Sequence, residues 1–150
     1  GNTSFYLEEA LDKYKNILKE YGGTKYTGEA YYETGNLYFQ LGRFDEAIDS
    51  FKLAIMTKAD YANAHYNLAI AYREKKDYDN AIAEMNNVLT LVAKDSPDYT
   101  LAQTTLADLE KSKPAATPKG TENLTPPQKT ETIIEPPIEL PKEATPPATQ

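Results

Sequence analysis

Few side chains in this chain could carry out chemistry. His65 is the only histidine among 150 residues, and there is no cysteine. Disulfides, thiolate metal sites and cysteine nucleophiles are excluded, and one imidazole supports neither a His-based metal cluster nor a conventional triad. Acidic pairs stand at Asp45-Glu46 and at Asp77/Asp79. Both flank turns at the start of apolar-periodic runs, where a carboxylate complements the positive end of a helix dipole; this favours that role over a catalytic pair. No glycine-rich loop is present to cradle a phosphate. Tyrosine hydroxyls and amides are prominent among the remaining polar groups, including Tyr32, Tyr66, Asn36 and Asn67. These make hydrogen bonds rather than break covalent ones. The expectation is a non-catalytic protein with no cofactor and no metal.

The elements that position these groups repeat. Tyr31, Gly35, Tyr38, Gly42, Phe44, Ala47, Phe51 and Ala54 are followed, each 34 residues later, by His65, Ala69, Tyr72, Lys76, Tyr78, Ala81, Met85 and Val88. Small residues alternating with large ones at that fixed period describe a helix-turn-helix unit that stacks on copies of itself. Two helix pairs are predicted, about 28–41 with 44–58 and 62–75 with 78–93. Small residues at 35, 47, 69 and 81 would let the paired backbones approach where they cross. Gly42 suits a left-handed helix end, and Lys76 takes its place in the second turn. A helix that starts near Ser4 and ends before Gly22-Gly23 carries Leu7, Ala10, Leu11, Tyr14, Ile17, Leu18 and Tyr21 on one face. Its Ala10, Tyr14 and Ile17 have the spacing of Ala47, Phe51 and Ala54, the second helix of a repeat without its first. A last helix is capped at Ser96-Pro97 and runs to about Ser112, with a polar outer face at Gln103, Thr104, Asp108 and Lys111.

These residues and their spacing resemble the tetratricopeptide repeat family over about 4–111. The resemblance implies an all-α solenoid of about six antiparallel helices. Its parts are a half repeat at 4–24, repeats at 28–61 and 62–95, and a capping helix at 96–112, together forming a domain at 1–112. The family's usual closing proline is replaced by Ala59 and Ala93, and Tyr31 and His65 stand where tryptophan is frequent. Family members bind a peptide or partner protein in a concave groove lined by the first helix of each repeat. That groove maps onto Glu29, Tyr32, Glu33, Asn36, Phe39 and Gln40, then Asn63, Tyr66, Asn67, Ile70, Arg73 and Glu74, with Thr100, Leu101 and Thr104 from the last helix. Members that grip a terminal carboxylate pair two Asn with several cations. Asn36 and Asn67 match the Asn pair, but Tyr32, Pro97 and Leu101 fill the cationic positions, so that clamp is not expected here. The run Tyr14-Lys15-Asn16-Ile17-Leu18-Lys19-Glu20-Tyr21 also resembles repeats of bacterial cell-envelope proteins, implying a scaffold in the envelope or periplasm.

Composition divides the chain. Nine of ten prolines lie in 113–150, and no Tyr or Phe follows Tyr99, so that segment is predicted to be a disordered Pro/Thr-rich tail. Residues 1–112 hold 18 acids against 12 bases, net −6. Such a balance argues against nonspecific nucleic-acid binding and against a basic membrane-surface patch. No apolar run is long enough to span a bilayer, so no direct membrane insertion is expected. The alternative function is an excised structural segment of a larger solenoid or a membrane-protein extension that self-associates through its first helix, motivated by the unpaired Leu7, Leu11 and Ile17 face.

Overall fold

The computed structural model describes residues 2–115, and the proline-rich stretch 116–150 lies outside them. Six α-helices follow one another: α1 (Asn2–Tyr21), α2 (Thr27–Gln40), α3 (Phe44–Thr57), α4 (Ala62–Glu74), α5 (Tyr78–Leu91) and α6 (Pro97–Ser112). Each packs chiefly on its neighbours in sequence, and α2 also touches α4. This is the nearest-neighbour order of a solenoid. The predicted elements match within about two residues, α1 beginning two positions before the expected Ser4.

Turn chemistry sets both helix pairs. At the end of α2 the Gly42 N–H donates to Phe39 O and the Arg43 N–H to Tyr38 O, with Gly42 at φ 73°. At the end of α4 the Lys76 N–H donates to Arg73 O and the Asp77 N–H to Tyr72 O. Here the left-handed residue is Lys76, at φ 61°. A Cβ in that conformation crowds the following carbonyl, and glycine avoids the conflict. Lys76→Gly is therefore expected to stabilise the chain by about 0.5–1 kcal/mol. The comparison is the urea midpoint against wild type; an unchanged or lower midpoint would show the turn to be unstrained.

Caps follow the sequence reading. Ser96 accepts from the Tyr99 N–H at 3.2 Å, and Asp77 accepts from the Asn80 N–H at 3.3 Å. Asp45 and Glu46 lie in the first turn of α3. Asp45 is bound to Lys75 across the repeats at 3.0 Å. Glu46 pairs with Arg43, and that hydrogen bond holds its carboxyl below the usual range. Lys113, just past α6, is tied to Asp79 at 2.5 Å.

The core forms two clusters, one around Ala47, Phe51 and Leu68, the other around Ala69, Ala81, Met85, Ala102 and Leu109. One expected contact is different in detail. A Cβ on Gly35 would first meet the Phe51 ring, at 2.6 Å from Cε1 and 2.7 Å from Cδ1. Glycine is needed at 35 because the Phe51 ring lies flush on the backbone there. His65 is buried as its packing position predicted, and it is also bonded. Its Nδ1 is 2.6 Å from Glu84 Oε2 and its Nε2 is 2.9 Å from Ala59 O. It thereby ties α4 to α5 and to the loop before α4.

Candidate peptide groove

The first helices of the repeats, α2 and α4, share one face with the start of α6. Asn67 Nδ2 donates to Asn36 Oδ1 at 2.7 Å and to the Tyr32 hydroxyl at 3.2 Å. Asn36 Nδ2 donates in turn to Glu33 Oε2 at 3.4 Å. One network therefore spans both repeats. After these bonds, Asn67 Oδ1 and the Tyr32 O–H keep hydrogen-bonding capacity unused among the described residues. An acceptor and a donor side by side match the N–H and C=O of an extended peptide.

Beside the network is a small apolar recess of 80 Å³ lined by Asn36, Phe39, Phe51, Asn67 and Ile70. The Phe39 ring is held edge-on to Phe44 at 5.2 Å, and the buried Phe51 forms the floor. A space of this size takes one aliphatic side chain and excludes a second ring.

The two tyrosines offered by the sequence are half-buried and engaged. Tyr32 packs on Tyr61 with ring centroids 4.9 Å apart and on Phe51 at 6.0 Å. The Tyr66 hydroxyl is 3.2 Å from Thr105 Oγ1, which joins α4 to α6. Both rings fill space between repeats while exposing an edge. Burial pushes the Tyr61 phenol up, and the Tyr32, Glu29 and Glu33 charges add to that. Glu29, Asn63, Gln40 and Arg73 stand exposed along the helices. Arg73 reaches only its neighbour Glu74, at 3.3 Å. On α6, Thr100 and Thr104 are exposed, and Leu101 is 52% exposed.

Thus Tyr32, Glu33, Asn36, Phe39, Asn67 and Ile70 come together, Tyr66 sits at the α4–α6 junction, and Gln40 and Arg73 flank the cluster. Phe51, Tyr61 and Thr105 support the face and were not singled out from sequence as part of it. Phe51 was assigned wholly to the core. The other two signals were legible: Tyr61 precedes α4 as an isolated aromatic in a loop, and Thr105 interrupts an apolar helical face. Among the described residues no group of three or more acidic or imidazole side chains could hold a metal ion. No helix among them is long and apolar enough to cross a membrane.

Six stacked helices with two left-handed turns one repeat apart define a helical-repeat domain. A family profile described as "TPR repeat" matches residues 35–75, and one described as "Tetratricopeptide repeat" matches residues 62–94. Residues 35–94 therefore belong to the tetratricopeptide repeat family, whose repeats are protein-interaction modules of a type that is not usually catalytic. Solved structures agree in fold. The TPR domain of Arabidopsis OM64 is 17% identical with a TM-score of 0.60, covering 71% of this chain and 85% of that one. The first TPR of Spaghetti (RPAP3), solved with the HSP90 peptide SRMEEVD, is 21% identical with a TM-score of 0.62, covering 75% and 86%. MamA from Desulfovibrio magneticus is 18% identical with a TM-score of 0.53, covering 73% and 69%. No curated protein matches the chain.

Proposed function

We propose that the face shared by α2, α4 and the start of α6 binds an extended peptide segment of a partner protein. The observation that carries this reading is the Asn36–Asn67–Tyr32 network, with its unused donor and acceptor, beside the apolar recess at Phe39 and Ile70. The peptide backbone pairs with Asn67 and Tyr32, one aliphatic side chain enters the recess, and an acidic residue meets Arg73. A peptide-bound structure of the same fold supports a peptide as the kind of ligand. The ligand is an internal segment rather than a chain terminus, because Tyr32, Pro97 and Leu101 offer no cations for a terminal carboxylate. So short a groove gives an affinity of about 1 μM, or ~−8 kcal/mol. In its narrowest form the module is a scaffold in a bacterial envelope assembly, a reading supported by the Tyr- and Lys-rich character of α1.

The test is selection from a displayed random-peptide library on the full chain, followed by titration of the enriched peptides against Ile70→Glu and Arg73→Glu. Each variant is expected to weaken binding about tenfold or more while helicity is unchanged, the size of a lost anchor contact. Peptides that bind both variants as tightly as wild type would place the ligand on another surface.

A further inference from the structure

The α1 end of the solenoid differs from the rest in a way the repeat itself defines. Ala10, Tyr14 and Ile17 correspond to Ala47, Phe51 and Ala54, each 37 residues later, the 34-residue period plus the insertion Lys25-Tyr26-Thr27. The later three have 0% exposure because α2 lies over them. Ile17 is 44% exposed, and Ala10 and Tyr14 are only half-buried. Ile17 and Tyr21 instead form one wall of an open trough of 560 Å³, whose other wall is α2 at Glu29, Ala30 and Glu33. Of the nine large apolar side chains exposed among the described residues, five belong to α1 and the turn after it: Phe5, Tyr6, Ile17, Tyr21 and Tyr26. A patch so concentrated marks an interaction surface.

Glu33 shows the chemistry the trough favours. Its counterpart one repeat later, Asn67, donates two hydrogen bonds to the preceding first helix. Glu33 has only Asn36 of its own helix as a side-chain partner among the described residues. Glu29, one turn earlier on the same wall, makes no ion pair among them. Two carboxylates bordering an apolar trough are complemented by cations.

We propose that this trough is a second binding site, for a basic amphipathic helix of a partner protein. The helix lies antiparallel to α1, with its apolar stripe on Ile17 and Tyr21 and its Lys or Arg against Glu29 and Glu33. A helix fits because a helix covers the equivalent positions of α3. The chain's own segment 116–150 is a poor occupant, since its prolines leave no uninterrupted run longer than eight residues, against the 14 of α2. A second copy is a poor occupant too. Antiparallel pairing of α1 with α1 brings the acidic first half of one copy's helix, with Glu8, Glu9 and Asp12, to the end of the other that carries Glu29 and Glu33, where like charges repel.

The test uses NMR titration of the labelled full chain with a stapled helix copying Thr27–Gln40 but carrying Glu29→Lys, Glu33→Lys and Asn36→Lys, and with the same helix keeping both Glu and carrying Asn36→Glu. Shifts are expected at Ile17, Tyr21 and Ala30, with the Lys helix binding about fivefold tighter or more, the scale of exposed charge reversal. That preference should vanish in the double variant Glu29→Gln/Glu33→Gln. Shifts confined to Asn36, Asn67 and Ile70, no shifts at all, or equal binding of both helices would overturn the proposal. So would a mass rising with concentration to twice 16.8 kDa, which gives the trough to a second copy. Movement of the Ile17 signal on deleting 116–150 would give it to the tail, with the same consequence.

Discussion

Phe51→Ala is expected to lower the stability of the folded chain by about 3–5 kcal/mol, the cost of removing a buried aromatic ring. Phe51 has 0% exposure and ranks first by size among the fully buried side chains of the described residues. Its ring lies flush on the Gly35 backbone, packs against Tyr32 at 6.0 Å and floors the recess beside Asn36 and Ile70. One side chain therefore joins α2 to α3 and the core to the groove. A domain of this size has about 5–15 kcal/mol of stability in total, so the loss is a large fraction of it. Urea denaturation should show the midpoint falling by about 1.5 M or more at unchanged slope. A fall under about 0.5 M would mean that the helices close over the cavity and that the ring is not what positions them.

The other large effect is at Gly35. Alanine is normally better than glycine inside a helix by about 1 kcal/mol. Here the added Cβ would stand 2.6 Å from Cε1 of the fully buried Phe51 ring, so the sign reverses. Gly35→Ala should cost about 1–2 kcal/mol and Gly35→Leu about 3 kcal/mol or more, through overpacking. Gly28 of the same helix is the control. Its Cβ would be 3.4 Å from Thr57 Cγ2, so Gly28→Ala should be close to neutral. Pairing Gly35→Ala with Phe51→Leu should recover about 1 kcal/mol of the summed losses, since residues in contact couple. Strict additivity in that cycle would contradict the contact.

Much of this architecture was legible in the sequence because repeats state their structure twice. The 34-residue period placed four helices. The Ser96-Pro97 cap placed α6, and Gly42 was legible as a left-handed residue, at φ 73°; that Lys76 takes the same conformation, at φ 61°, was open until the structure. Periodicity gives the face a residue occupies, but not what lies opposite it. That is why Gly35 was paired with Ala47 when Phe51 is the nearer group. The groove was legible as a set of positions on the first helices. The bond from Asn67 to Asn36 and Tyr32 was not, because it depends on the stagger between α2 and α4, set by side-chain volumes across two repeats. Of the α1 face expected to be unpaired, Leu7, Leu11 and Ile17, only Ile17 is exposed: Leu11 is fully buried and Leu7 half-buried, because periodicity does not tell which side of α1 its neighbour covers. That α2 adds a wall bearing Glu29 and Glu33 required the packed helices.

The groove is tested most directly by locating its ligand. The isotopically labelled chain would be titrated with the tightest peptide from the library and the backbone and side-chain amide shifts mapped. The account predicts the largest shifts at Asn36, Phe39, Asn67, Ile70 and Arg73, with saturation near micromolar concentration. Shifts confined to the outer surfaces of α3 and α5, around Met56 and Asn87, would show that the shared face of α2 and α4 is not where this protein binds.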